Sequence, residues 1–188
     1  MRKFENALSS ERFTPYVRDS IIPKAPTGWQ WESLMEKALH LAEQAQKQGE
    51  VPVGALIVSP QGTILGEGCN CCIATHDSTA HAEIVAMRQA EKKLATYRLP
   101  QALCVVTLEP CAMCAEALLQ ARIAGIVFGA QDALAGAIVS HPASMAANLG
   151  EGIWYMGGVC GDRCAAILTQ FFASLRTNPS SASKPSRT

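Results

Sequence analysis

Long apolar runs are missing from this 188-residue chain. None reaches the ~18 consecutive apolar residues that a membrane-spanning helix needs, and the opening stretch MRKFENALSSERF has no apolar signal core. The expectation is a cytoplasmic protein with no membrane partner. An excess of either charge is missing too, because 16 Lys and Arg balance 16 Asp and Glu. That removes any global electrostatic case for nucleic acid, so affinity for RNA would have to come from a local patch. Internal repeats are also absent. With 48% hydrophobic and 17% charged residues, the composition is that of a globular domain. A domain of about 150 residues buries roughly two-thirds of its unfolded surface and needs no disulfide staples. What the chain does have is cysteine, eight in all. A disulfide framework fits shorter, loop-rich secreted chains, so reduced thiols, some of them metal ligands, are the better account.

Residues 1–28 mix charges and prolines with little periodicity, and read as an N-terminal extension of uncertain order. Trp31, Leu34, Met35, Ala38, Leu39, Leu41 and Ala42 give an apolar stripe that predicts a helix from Trp29 to Gln48, with Gly49 at its C-cap. Val51–Ser59 and Thr63–Gly68 flank the turn Pro60-Gln61-Gly62 as an antiparallel hairpin. A helix is expected over Thr79–Leu94, capped by Ser78 or Thr79, then a strand over Ala102–Leu108, a helix over Cys111–Ala121 and a strand over Ile123–Phe128. Strand, helix, strand at this spacing implies a right-handed crossover and a parallel pair. A short helix near Pro142–Asn148 would let a fifth strand, Ile153–Met156, run parallel to the fourth. A helix over Asp162–Arg176 closes the domain, with Leu168, Phe171, Phe172 and Leu175 on its apolar side. Residues 177–188 form a Ser- and Pro-rich tail expected to be disordered. The expected architecture is an α/β fold, a three-layer α/β/α sandwich around a mixed five-stranded sheet, spanning residues 29–176.

Chemistry concentrates in two short groups, His81-Ala82-Glu83 and Pro110-Cys111-Ala112-Met113-Cys114. Each falls at the first turn of an expected helix. Cys111 and Cys114 are three apart, so their sulfurs share one helical face, and the positive end of the helix favours thiolate over thiol. Two thiolates and an imidazole suit zinc. Three protein ligands leave a tetrahedral corner for water, whose pKa zinc lowers to about 7. Glu83, two residues after His81, is placed for general acid/base work on that water. A structural zinc site would instead need a fourth ligand, for which Cys69, Cys71, Cys72 and His76 are candidates. A lone Cys-x-x-Cys is also compatible with a redox pair.

Together the groups form the His-x-Glu…Pro-Cys-x-x-Cys pattern of zinc deaminases. The surrounding segments are Glu50-Val51-Pro52-Val53-Gly54-Ala55, Gly66-Glu67-Gly68 leading to Asn70, and Thr79-Ala80-His81-Ala82-Glu83-Ile84. Tyr97-Arg98-Leu99, Thr107-Leu108-Glu109-Pro110 and Ile126-Val127-Phe128-Gly129-Ala130-Gln131-Asp132 complete the set. On these words the chain resembles the bacterial tRNA-specific adenosine deaminases of the cytidine deaminase superfamily over roughly residues 30–176. Cys69-Asn70-Cys71-Cys72 stands where that family has a Trp-Asn-Arg-Pro type of segment. The resemblance implies a cytidine deaminase-like fold, one Zn2+ per subunit, a homodimer, and conversion of the wobble adenosine to inosine in a tRNA anticodon stem-loop. It further implies that Asn70 hydrogen-bonds the flipped purine, that Val53 lines its pocket, and that main-chain groups near Ala82 and Glu83 touch the base. Asp132 would contact the neighbouring nucleotide, and Phe171 and Phe172 the RNA. Read as residues alone, Asn70 and Asp132 are equally turn formers, and the Phe pair falls on the apolar stripe of the last helix. Two other readings stay open: a deaminase of free guanine, cytosine or a nucleoside on the same fold, and a zinc-stabilised RNA-binding subunit without turnover.

Overall fold

A computed structural model of the chain describes residues 16–17, 24–141 and 153–177. The chain order is β1 (Tyr16–Val17), α1 (Trp31–Lys47), β2 (Gly54–Val58), β3 (Ile64–Cys69) and α2 (Cys72–Thr75), followed by α3 (Ala82–Leu94) and β4 (Leu103–Leu108). Then come α4 (Ala112–Gln120), β5 (Gly125–Ala130), β6 (Trp154–Gly157) and α5 (Gly161–Thr177). The strands form one sheet in the order β1-β6-β5-β4-β2-β3. β2 pairs antiparallel with β3 and with β4, while β4–β5 and β5–β6 are parallel. The expected mixed sheet of five strands is present. The two-residue β1 adds a short antiparallel edge, Tyr16 opposite Gly157 and Val17 opposite Met156. This edge comes from the extension in which the sequence offered no pattern.

Side-chain alternation along the strands sorts the core into two halves. Leu56, Val58, Val105 and Val127 point to one face and pack with Leu34, Met35, Ala38 and Leu39 of α1 and with Cys164 of α5. Ala55, Ile57, Cys104, Val106, Ile126 and Phe128 point to the other, against Ala82, Ala86, Met87 and Ala90 of α3 and Ala115 and Leu118 of α4. The buried positions of α1 recur at helical spacing, as its stripe implies, and Gly49 follows the helix at φ 78°. There Gly49 and Glu50 donate backbone N–H bonds to Gln46 and Ala45, which is how a left-handed glycine satisfies the last carbonyls of a helix.

Three local details differ from the sequence pattern. Helix α3 begins at Ala82, because the Asp77 carboxylate captures the Thr79 N–H (2.8 Å) and hydroxyl (2.6 Å) and closes a turn of its own ahead of the helix. His81 therefore stands at the N-cap in extended conformation, and neither Ser78 nor Thr79 caps the helix. After Cys69 the chain does not continue as a strand but enters the single turn α2, whose Ile73 and Ala74 N–H groups donate to buried Glu50 at 2.8 and 2.9 Å. The helix expected near Pro142–Asn148 and the 178–188 tail lie outside the described residues.

α3 packs unusually close to β3. A Cβ at Gly66 would sit 2.1 Å from the Ala86 carbonyl oxygen, and one at Gly68 would sit 2.2 Å from that of Ala82. The helix answers with side chains that close the outer edge of the strand: Gln89 accepts the Glu67 N–H and Lys93 donates to the Ile64 carbonyl, leaving less of that edge open to another strand. Gly66→Ala should therefore push α3 off the sheet and lower stability by about 1–3 kcal/mol, read as a lower urea midpoint at unchanged slope.

Candidate active site

The first turns of α3 and α4 converge beyond the carboxyl end of β4. His81 and Cys111 each occupy the residue before a helix, at φ/ψ of −71°/155° and −71°/170°. Neither makes a side-chain cap, so the imidazole and the thiol are free to face each other. His81 Nδ1 lies 3.7 Å from Cys111 Sγ and 3.5 Å from Cys114 Sγ. A tetrahedral zinc with Zn–S near 2.3 Å and Zn–N near 2.05 Å places its N and S ligands about 3.6 Å apart. The donor set fits the ion in both chemistry and spacing. Among the described residues these three side chains are the only such cluster, and no fourth His, Cys, Asp or Glu joins it. Cys69, Cys71, Cys72 and His76 do not, which argues against a closed structural site.

The electrostatics of the three donors and Glu83 are tightly linked. The Cys114 thiol donates to Cys111 and, with His81 alongside, holds Cys111 down to about 4 in spite of burial. The same hydrogen bond, together with burial, pushes Cys114 up, and the bond to Cys111 raises His81. Glu83, the second residue of α3, is 4% exposed, and burial pushes its carboxyl up to about 7. Its own backbone N–H and the Cys114 thiol only partly counter that push.

A cavity of about 190 Å³ opens onto these groups, lined among others by Val51, Val53, Asn70, His81, Glu83, Leu108, Cys111 and Asp132. Pockets for drug-sized ligands run to ~300–1,000 Å³, so this one suits a single flat ring system. A wider depression of about 460 Å³ lies at the opposite end of β2 and β4, between Ser59, Leu94, Arg98 and Gln101, with none of these donors.

The residues suggested by resemblance separate into two sets. Val53, Asn70 and Asp132 all reach the cavity. Asn70 Oδ1 accepts the Ala82 N–H at 2.9 Å, so the Ala82 N–H is spent on Asn70, and the Asn70 amide NH2 is left as the donor for a ligand. Asp132 lines the cavity and also forms a turn, its Oδ1 accepting the N–H groups of Leu134 and Ala135 at 3.0 and 3.1 Å. Phe171 and Phe172 do not line the cavity. Their rings meet edge to face at 5.4 Å, with Phe171 buried and Phe172 packed against the core. Two residues without an assigned role prove central: Glu50, which anchors the turn after Asn70, and Glu109, which lines the cavity beside Asp132. Their signal in the sequence was a lone acidic residue embedded in an apolar word, Glu-Val-Pro-Val-Gly and Leu-Glu-Pro-Cys.

Comparisons with known proteins agree with this geometry. The family model of the cytidine and deoxycytidylate deaminase zinc-binding region matches residues 29–130. The chain is 42% identical over 146 residues to the tRNA-specific adenosine deaminase of Haemophilus influenzae, covering 77% of this chain and 84% of that one. Among solved structures it is similar to one from a study of A-to-I editing by tRNA:A34 deaminases at the wobble position of transfer RNA. There the identity is 38% and the TM-score 0.67, over 72% of this chain and 99% of that chain. It is also similar to the guanine deaminase of Bacillus subtilis, at 35% identity and TM-score 0.52, over 55% of this chain and 66% of that chain.

Buried Glu83 has a thermodynamic consequence. Its folded value, about 7, lies above its ordinary value of 4.5, so between those pH values the folded chain holds a proton that the unfolded chain has lost. Stability must fall as pH rises through that window. In chelator-stripped protein, urea titrations should show wild type losing on the order of 3 kcal/mol between pH 4.5 and 7.5 relative to Glu83→Gln.

Proposed function

The chain belongs to the cytidine and deoxycytidylate deaminase family and, within it, to the tRNA-specific adenosine deaminases, and from that premise we propose that it hydrolyses the wobble adenosine of a tRNA anticodon to inosine. The observation that carries the reading is the three-donor cluster, with no fourth protein ligand among the described residues, opening onto a single-base cavity beside a buried carboxyl poised near neutrality.

His81, Cys111 and Cys114 would hold one Zn2+ per subunit. Bound there, the ion supplies a water acidified enough to act as nucleophile near neutral pH. Glu83 takes a proton from the attacking water and gives it to a purine ring nitrogen as the C–O bond forms, then carries the added hydroxyl's proton to the exocyclic amine, which leaves as ammonia as the C–N bond breaks. Its value near 7 lets it perform both halves of that transfer at working pH. The Asn70 NH2 donates to an acceptor on the base edge, Val53 packs against its face, and Asp132 meets the adjoining nucleotide. A loop adenine is already largely unstacked, so turning it into the cavity costs little. We assign the enzyme to the cytoplasm as a homodimer. Exposed Met113 and Leu134, next in sequence to residues of the site, offer apolar surface around the cavity for a partner subunit or RNA bases. Phe171 and Phe172 would act through the packing of α5 rather than at the base.

The similarity to a guanine deaminase and the balanced net charge favour one competing reading, a free-base deaminase. Incubation with an anticodon stem-loop and, separately, with free adenine, guanine and cytosine divides the two. Inosine in the RNA with no ammonia from the bases is expected, and ammonia from guanine alone would overturn the tRNA reading. Glu83→Ala should lower ammonia release on the order of 10²–10⁴-fold with zinc content and folding unchanged. Were turnover unaffected, Glu83 would not be the proton carrier.

A further inference from the structure

Residues 131–141 leave β5, cross the cavity mouth without forming helix or strand, and still need acceptors for their backbone N–H groups. One side chain accepts four of them, more than any other group does. Glu109, 2% exposed, sits just past β4 and two residues before Cys111. Its Oε1 accepts the N–H groups of Ile138, Val139 and Ser140 at 3.1, 2.7 and 2.9 Å. Its Oε2 accepts the Asp132 N–H at 3.1 Å and the Ser140 hydroxyl at 2.5 Å. The wrap is tight enough to exclude a side chain, since a Cβ at Gly136 would lie 2.3 Å from Glu109 Cδ and Oε2. Two further ties bind the loop to the ligand turn: Ala137 N–H donates to the Pro110 carbonyl at 2.9 Å, and Gly136 bridges to Cys111. Glu109 itself lines the cavity, and so do Asp132 and Ala135 of the segment it wraps.

We propose that Glu109 is the positioning residue for substrate specificity: its carboxylate fixes the 132–140 loop as the cavity wall and registers that wall against the strand that delivers Cys111. This rests on the deaminase reading above. Glu109 has both oxygens engaged by the loop, so it takes no part in proton transfer and acts through Asp132 and Ala135. Those two touch the ligand space and not the reacting atoms, so loosening them weakens substrate binding rather than the chemical step.

Glu109→Gln tests this, because an amide has one oxygen and its NH2 faces backbone donors in either orientation, losing the Asp132 bond in one and the Ile138, Val139 and Ser140 N–H bonds in the other. The expected result on the anticodon stem-loop is a fall in kcat/KM of about 10²-fold, carried by KM, with zinc content retained. Hydrogen exchange on the protein without substrate should show the amides of Asp132, Ile138, Val139 and Ser140 losing protection. Gly136→Ala displaces the same loop with Glu109 intact and should reproduce the KM effect, while Ser140→Ala, which removes one hydrogen bond of the five, should give a smaller one. A fall in kcat at unchanged KM would mean general destabilisation or a catalytic role and would overturn the proposal, as would unchanged exchange. If wild type deaminated no RNA, the function above would fail, while the exchange measurement would still decide whether Glu109 anchors the loop.

Discussion

Two helices begin at one point, past the carboxyl end of β4, and the site depends on that meeting. His81 ends the approach to α3 and Cys111 the approach to α4, with donor atoms 3.7 Å apart. The first is held there by the close seat of α3 on β3, where Gly66 and Gly68 let the strand touch the helix backbone. The second is held by β4, buried between β2 and β5 with its residues in register with both. Shifting either helix by a single turn, about 5.4 Å, would separate the donors beyond what one ion can bridge. Orientation matters as much as distance. Both helices direct the positive ends of their dipoles at the site, and that field favours anionic sulfur.

The same meeting creates an electrostatic excess that the protein alone cannot hold. Two thiols and a carboxyl crowd around one imidazole, and the chain responds by sharing protons. Cys111 ionises, Cys114 keeps its proton, and Glu83 is pushed to about 7. Left unneutralised, two thiolates and a carboxylate buried together would cost several kcal/mol apiece. A divalent cation balances both thiolates and leaves Glu83 as the one titrating group. The residue types therefore imply the ion as firmly as their spacing does.

Much of this was legible in the sequence, and the reasons are local. The stripe of α1, the apolar strands β4 and β5, and the two short motifs with their helix starts all depend on neighbours in the chain. The resemblance to zinc deaminases rests on a handful of such words, and the family match over residues 29–130 bears it out. What escaped depended on contacts that the residue pattern does not show. Asp77 closes a turn through Thr79 ahead of α3, and Glu50, 23 residues before Ile73, anchors α2. β1 exists only because β6 offers it an edge. For the Asn70 amide, the sequence showed a group able to donate and accept, but only its bond to Ala82 reveals which half remains for a ligand.

Three glutamates are buried in or beside the site, Glu83 and Glu109 lining the cavity and Glu50 next to it in sequence, and each meets different groups. Glu50 accepts two backbone N–H bonds from α2, and Glu109 accepts five hydrogen bonds from the 132–140 loop. Carboxylate oxygens that accept backbone N–H groups are fixed in place by them. Such groups are rigid pegs around which loops without secondary structure can be hung. Glu83 is buried just as deeply yet meets only its own N–H and a thiol, so burial wins and its proton affinity climbs toward neutrality. The proton-handling role proposed for Glu83 fits a carboxyl that burial drives toward neutrality, whereas Glu109, with five hydrogen bonds from one loop, is built to hold that loop in place.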